Sequence, residues 1–243
     1  MNLTEYYLKT GNLFFKYRGQ IPILVFLLAT PIIYFQAKEI MFSHWLFCVI
    51  SLCSAIISIA GFLLRVITIA TTPDGTSGRN RTEQVADKLN TIGIYSIVRH
   101  PLYLANFMMW FGILCFSFSL TVVVVFSLFF WLYYERIIMA EEHFLSEKYA
   151  NEYNEYASKT PALIPNISNY LSSNTKFNFK KVLRQEYTAM LTMAFSFFLI
   201  DYIRIFKIYE HYNLYRISLI LFVISMLIAL ILRTLKHYTR VLK

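Results

Sequence analysis

Glycine is scarce in this chain, with 7 among 243 residues, and no G-x-G-x-x-G or P-loop run occurs. A Rossmann-type nucleotide-binding domain needs such a loop between alternating strands and helices, so that fold is excluded. Cysteine is scarcer still: Cys48, Cys53 and Cys115 lie inside apolar stretches, without C-x-x-C or zinc spacing. Neither a disulfide framework nor a cysteine metal site is indicated. The five histidines, His44, His100, His143, His211 and His237, are scattered, which argues against a clustered-histidine di-iron centre and against any metal site. The two halves do not repeat one another, as the halves of inverted-repeat transporters do. Formal charge is absent from residues 102–134. That stretch is expected to enter a bilayer and return as a short helical hairpin.

Apolar and aromatic residues are plentiful, at 57% and 18% of the chain, with a mean hydropathy of +0.51. Soluble domains average about 45–50% apolar residues. The composition therefore describes an all-α, polytopic integral membrane protein, one membrane domain over 1–243. A bilayer core of about 30 Å takes about 20 apolar residues per helix. About six spans are expected: 20–36, interrupted by Pro31; 45–71, with Arg65 near its end; the hairpin arms 102–118 and 119–134; and a C-terminal pair, 187–206 and 217–232, within 187–243. Arg65 is expected to snorkel to the interface. The first helix should be retained, because no signal-peptide cleavage pattern precedes it.

A net charge of +9 would suggest nucleic acid in a soluble protein. Here the basic residues flank apolar segments, so the expected partner is the bilayer and not nucleic acid. Six spans place both termini and the segments 72–100 and 135–186 on one face, together with Lys9, Lys16, Arg18, Arg79, Arg81, Lys148, Lys159, Lys180 and Lys181. The opposite loops hold Lys38, Arg204, Lys207 and Arg216. The positive-inside rule makes the first face cytoplasmic, termini included. Asp201 and Arg204, three residues apart, read as an interfacial ion pair. Pro73, Gly75 and Gly78, followed by Arg79 and Arg81, read as a turn-rich, solvated connector.

Two polar motifs bracket the uncharged hairpin. The first ends in Arg99-His100-Pro101-Leu102-Tyr103. Proline disfavours the helical conformation at His100 but suits the first helical position, so His100 should cap the third apolar helix. A helix N-terminus beside Arg99 and His100 suits a carboxylate or phosphate, with Tyr103 one turn in. The second motif begins at Glu141-Glu142, and Glu142, Leu145, Tyr149, Glu152, Tyr153 and Tyr156 recur at helical spacing. They mark an interfacial amphipathic helix that ends before Pro161. Carboxylates beside an apolar hairpin call for Arg99, Arg136 or a bound cation as partners. Both motifs should meet on one membrane face.

In order and spacing, Arg99-His100-Pro101-x-Tyr103, Glu141-Glu142-x-x-Leu145, Glu152-Tyr153-x-x-Tyr156 and the closing Pro161 and Pro165 resemble the membrane methyltransferases typified by isoprenylcysteine carboxyl methyltransferase. That superfamily also includes phospholipid methyltransferases. The resemblance covers 79–165, which would be the catalytic core. Ala105 stands where such proteins often have glycine, and Arg136 sits one residue further from the Glu pair than expected. The resemblance implies S-adenosylmethionine as cofactor and a lipid headgroup or lipid-linked carboxylate, phosphate or amine as methyl acceptor. Catalytic roles would fall to Arg99, Glu142 and Arg136, and cofactor contacts to His100, Pro101, Tyr103, Glu141, Glu142, Leu145 and Tyr153. Acids for the ammonium, a helix N-terminus for the carboxylate and aromatic faces for the sulfonium form a coherent set. An anionic acceptor would need no general base, whereas an amine would call on Glu142 or His100. Two alternatives stay open: an NADPH-dependent reductase of the sterol-reductase type, which shares an RHPxY-like run, and a non-catalytic lipid-binding protein that keeps the fold.

Overall fold

The computed structural model describes residues 2–37, 43–73, 86, 88–173, 175–211, 214, 216–239 and 241–242. The expectations for Lys38 and for Gly75, Gly78, Arg79 and Arg81 lie outside the described residues. Eight α-helices follow in order: α1 Leu3–Lys16, α2 Ile21–Gln36, α3 His44–Thr71, α4 Ile94–Ile97, α5 Pro101–Cys115, α6 Leu120–Lys159, α7 Phe179–Tyr209 and α8 Ile217–Tyr238, with a 3-10 turn at Ile167–Asn169. Among the described residues the only β-type pairing is an isolated bridge between Gly93 and Leu171. The all-helical membrane architecture expected from composition is the one observed.

The spans differ from expectation in number and boundary. Helices α3, α6, α7 and α8 are long and apolar enough to cross a bilayer, and a fifth span results if the bent pair α1 and α2 counts as one. The first hairpin arm, α5, has 15 residues and reaches about 22 Å, short of a bilayer core. The second arm does not stop near Tyr134. It continues as helix, α6, into the amphipathic segment, because no proline or glycine interrupts that stretch. The run is broken at Ala150, whose backbone is left-handed (φ 43°, ψ −113°).

The chain divides into two compact units. Unit 1 comprises Met1–Leu24, Ile67–Leu104 and Leu128–Phe177; unit 2 comprises Val25–Val66, Ala105–Ser127 and Asn178–Lys243. In unit 1 the N-terminal helix is fastened by a capping box, Glu5 N–H to Asn2 Oδ1 at 2.8 Å and Asn2 N–H to Glu5 Oε2 at 3.1 Å. Tyr133 of α6 donates its hydroxyl to the Phe14 carbonyl of α1 at 3.1 Å.

In unit 2, α3 and α5 approach closely at Gly61, where a Cβ would fall 2.7 Å from both the Ala105 carbonyl oxygen and the Met109 nitrogen. Ser58 Oγ donates to the Met109 carbonyl at 2.9 Å beside it. Ala105 itself is fully buried, so the small residue that permits contact here is supplied by α3. Arg65 does not snorkel. It pairs with Glu186 of α7 and donates from Nη1 to Asn106 Oδ1 of α5 at 2.6 Å. The Glu186 side chain is only 2% exposed, and a carboxylate buried there binds the guanidinium in place of interfacial water.

Candidate active site

The site lies wholly in unit 1 and begins with backbone. Gly93 adopts φ +63°, a conformation that costs a residue with a Cβ about 1–2 kcal/mol. Its N–H donates to the Leu171 carbonyl at 2.8 Å. Ser96 Oγ ties the same crossing, accepting from the Leu171 N–H at 2.8 Å and donating to the Gly93 carbonyl at 2.7 Å. Asn166 N–H then meets the Ile97 carbonyl at 2.9 Å, Arg99 N–H the Pro161 carbonyl at 2.9 Å, and His100 N–H the Ala162 carbonyl at 3.1 Å. The chain approaching the first motif and the chain leaving the second thus run side by side. Pro101 opens α5, and the His100 carbonyl accepts from the Tyr103 and Leu104 N–H groups at 3.1 Å each. His100 caps the helix as the proline rule requires.

The side chains close on the Glu pair of α6. Arg99 donates Nε to Glu142 Oε1 at 2.9 Å, and its Nη2 lies 2.8 Å from the same oxygen in an ion pair. Its Nη1 reaches the Ala157 and Thr160 carbonyls at 2.9 and 2.5 Å. His100, 6% exposed, places Nε2 at 2.9 Å from Glu142 Oε1 and Nδ1 at 3.6 Å from Glu141 Oε2. The His100 ring stacks on Tyr103 at 5.6 Å, and Tyr103 packs on Tyr134 at 5.3 Å. Tyr156 donates its hydroxyl to the Tyr95 carbonyl at 2.7 Å. The Tyr153 hydroxyl is buried with no hydrogen-bond partner among the described residues.

Burial alone would push the His100 imidazole down, but hydrogen bonds and charge from Glu141 and Glu142 outweigh it and hold the ring above its ordinary value. Burial, and then the charge of Glu141, holds the Tyr95 phenol above its ordinary range, so it remains a neutral hydroxyl.

Of the residues expected at the site, Arg99, His100, Pro101, Tyr103, Glu141, Glu142 and Tyr153 gather around this cluster. Leu145 follows Glu141 by one turn on α6 and is half-buried. Arg136 is not brought in. Five and six residues from the Glu pair, it projects from another face of α6, and its guanidinium lies 4.9 Å from the Tyr7 ring and 6.0 Å from the Tyr6 ring of α1. The carbonyls of Ala157 and Thr160, which accept from Arg99 Nη1, are site groups that no motif announced.

Known proteins resemble the chain over part of its length. The nickel-cobalt-cadmium resistance protein NccN of Alcaligenes xylosoxydans xylosoxydans is 39% identical over 99 residues, 41% of this chain and 44% of that protein. The cobalt-zinc-cadmium resistance protein CzcN of Cupriavidus metallidurans is 40% identical over 87 residues, 36% of this chain and 40% of that protein. Protein-S-isoprenylcysteine O-methyltransferase B of Arabidopsis thaliana is 31% identical over 120 residues, 45% of this chain and 56% of that protein. The chain thus spans about half the length of the curated relatives it matches. No solved structure matches. The family described as protein of unknown function (DUF1295) matches residues 3–160, and the chain belongs to that family and resembles the isoprenylcysteine methyltransferase-like membrane enzymes.

Proposed function

We propose that the protein is an S-adenosylmethionine-dependent membrane methyltransferase whose acceptor is a lipid headgroup or a lipid-linked group. The observation that carries this reading is the joining of Arg99 and His100 to Glu141 and Glu142 in one compact cluster, in a chain with relatives named as isoprenylcysteine methyltransferases. The residues present fit the cofactor. Glu141 and Glu142 offer negative charge to its ammonium, Tyr103, Tyr134 and Tyr153 offer aromatic faces to a cation, and the Tyr153 hydroxyl has a hydrogen bond left to give. When bound, the cofactor supplies a methyl group already activated on a sulfonium.

The remaining work falls to alignment and exclusion of water. Arg99 spends its donors on Glu142 and two carbonyls, so we assign it to positioning Glu142 rather than to binding the acceptor. Arg136 keeps its guanidinium against aromatic rings without a hydrogen bond among the described residues, which suits an anionic headgroup. Neither candidate base is free: His100 bonds Glu142 and faces Glu141 at 3.6 Å, and Glu142 accepts from Arg99 and His100. This favours an acceptor that is already anionic, a carboxylate or a phosphate, over an amine. Two relatives carry metal-resistance names; among the described residues no group of three His, Cys, Asp or Glu side chains is placed to hold a metal ion.

Calorimetric titration of the purified protein with S-adenosylmethionine and with NADPH tests the proposal. Binding of S-adenosylmethionine alone, weakened at least about tenfold by Glu142→Gln (about 1.4 kcal/mol), is the expected result. Binding of NADPH alone would shift the assignment to a reductase, and binding of neither to a lipid-binding role.

A further inference from the structure

A charged cluster lies in unit 2, at the end where α3 begins, α5 stops and α8 starts. Its carboxylate is Asp201 of α7, which is 3% exposed. The sequence pairs Asp201 with Arg204, but the structure commits it elsewhere. Arg216, ahead of α8, donates Nε to Asp201 Oδ2 at 2.7 Å and Nη2 to Oδ1 at 2.9 Å, and Ser218 Oγ donates to Oδ2 at 2.5 Å. Such a two-pronged pair is the strongest use of a carboxylate, and it satisfies both oxygens.

Arg204, nearly one turn further along α7, is only 6% exposed. Its guanidinium carbon lies 4.0 Å from the centre of the Phe118 ring and 5.4 Å from that of Phe47, and those two rings stack 5.0 Å apart at 6°. Phe118 reaches this position from the turn between α5 and α6, where it adopts φ +58°. Among the described residues Arg204 has neither an ion pair nor a hydrogen-bond acceptor. Lys207, three residues on, holds Nζ 4.4 Å from the centre of the Tyr34 ring of α2. Among the described residues of this cluster three cations, Arg204, Lys207 and Arg216, accompany one carboxylate, Asp201.

A guanidinium packed so far from water is strongly disfavoured without an anion or acceptor, and ring faces offset only part of that cost. The rings hold the plane of Arg204 fixed and leave its N–H edge to bond elsewhere, the arrangement that suits bidentate recognition of phosphate. The surroundings are those of a membrane boundary: Tyr202, Phe206, Leu214 and Ile217 are exposed nearby on α7, α8 and the chain between them. We infer that Arg204 and Lys207 form a binding site for a phosphate group, carried either by a phospholipid headgroup or by free phosphate.

The test uses the full chain in a maltoside detergent, which carries no phosphate. Phosphatidylglycerol, diacylglycerol of the same chain length, and inorganic phosphate are titrated separately while thermal midpoint and lipid retention in native mass spectrometry are recorded. Phosphatidylglycerol is expected to raise the midpoint and be retained, with diacylglycerol inert. Arg204→Gln should weaken the phosphatidylglycerol effect at least tenfold while leaving the midpoint without lipid equal to wild type or higher, since a buried charge with no hydrogen-bond acceptor among the described residues has been removed. Lys207→Gln, which leaves Arg204 and its ring stack in place, should weaken it by a smaller factor and serves if Arg204→Gln fails to fold. An equal response to inorganic phosphate would identify free phosphate as the ligand; a response to the lipid alone would identify the headgroup. A phosphatidylglycerol effect unchanged in the variants, or no effect of either phosphate on wild type, would overturn the inference.

Discussion

Glu142 accepts from Arg99 and His100 through a single oxygen, Oε1, and that convergence gives His100 a definite response to pH. The imidazole is held above its ordinary value, so the folded protein binds its proton more tightly than the unfolded chain does. The stability this contributes is fully present below about pH 6.5, the ordinary imidazole value, and is lost as pH rises through the higher folded value. Thermal midpoints measured across that window should fall with rising pH in wild type and flatten in His100→Asn; parallel curves would remove the ion-paired imidazole from the account. At this scale the sequence was informative about chemistry and poor about direction. An Arg-His pair and a Glu pair each need partners, so their meeting was legible. The Ala157 and Thr160 carbonyls that fill the remaining donors of Arg99 depend on where the chain returns after α6, and no local pattern records that. Arg136 had the right charge near the right motif and turned towards α1 instead.

Helix α6 joins two elements that hydropathy separates. Its apolar arm and its amphipathic end differ in composition, which suggests a boundary, yet a helix ends only where a breaker or a cap intervenes. Ala150 does break it, at a left-handed backbone that no sequence rule assigns to alanine. Replacing Ala150 with glycine removes the Cβ clash, so Ala150→Gly should raise stability by about 1 kcal/mol, read as a higher denaturation midpoint in detergent. A lower midpoint would mean that the break relaxes to ordinary helix in solution, where glycine is the poorer residue. Arg65 gives the converse lesson. Judged on α3 alone, its position near a helix end implies snorkelling. Its partner Glu186 lies 121 residues away, beyond any periodicity.

For the molecule as a whole, composition was sufficient to identify a helical membrane protein, and it overstated the spans because α5 is short. The division into two units cuts across helices α2, α3, α5 and α6, so no linker or composition shift announced it. From the sidedness of the basic residues we propose that the candidate-site face is cytoplasmic. In a cysteine-free background, single cysteines at the exposed positions Ser158 and Leu214 should then label from opposite sides of sealed vesicles, Ser158 from the cytoplasmic face. Labelling of both from one side would refute the topology.

The account stands most directly on methyl transfer itself. Proteoliposomes containing the full chain, an extract of bacterial membrane lipids and S-adenosylmethionine carrying a labelled methyl group should accumulate label in an extractable lipid or lipid-linked fraction, and Glu142→Gln should abolish that label while the protein remains folded. Label in no lipid fraction from wild-type protein that demonstrably binds the cofactor, or an undiminished rate in Glu142→Gln, would contradict it.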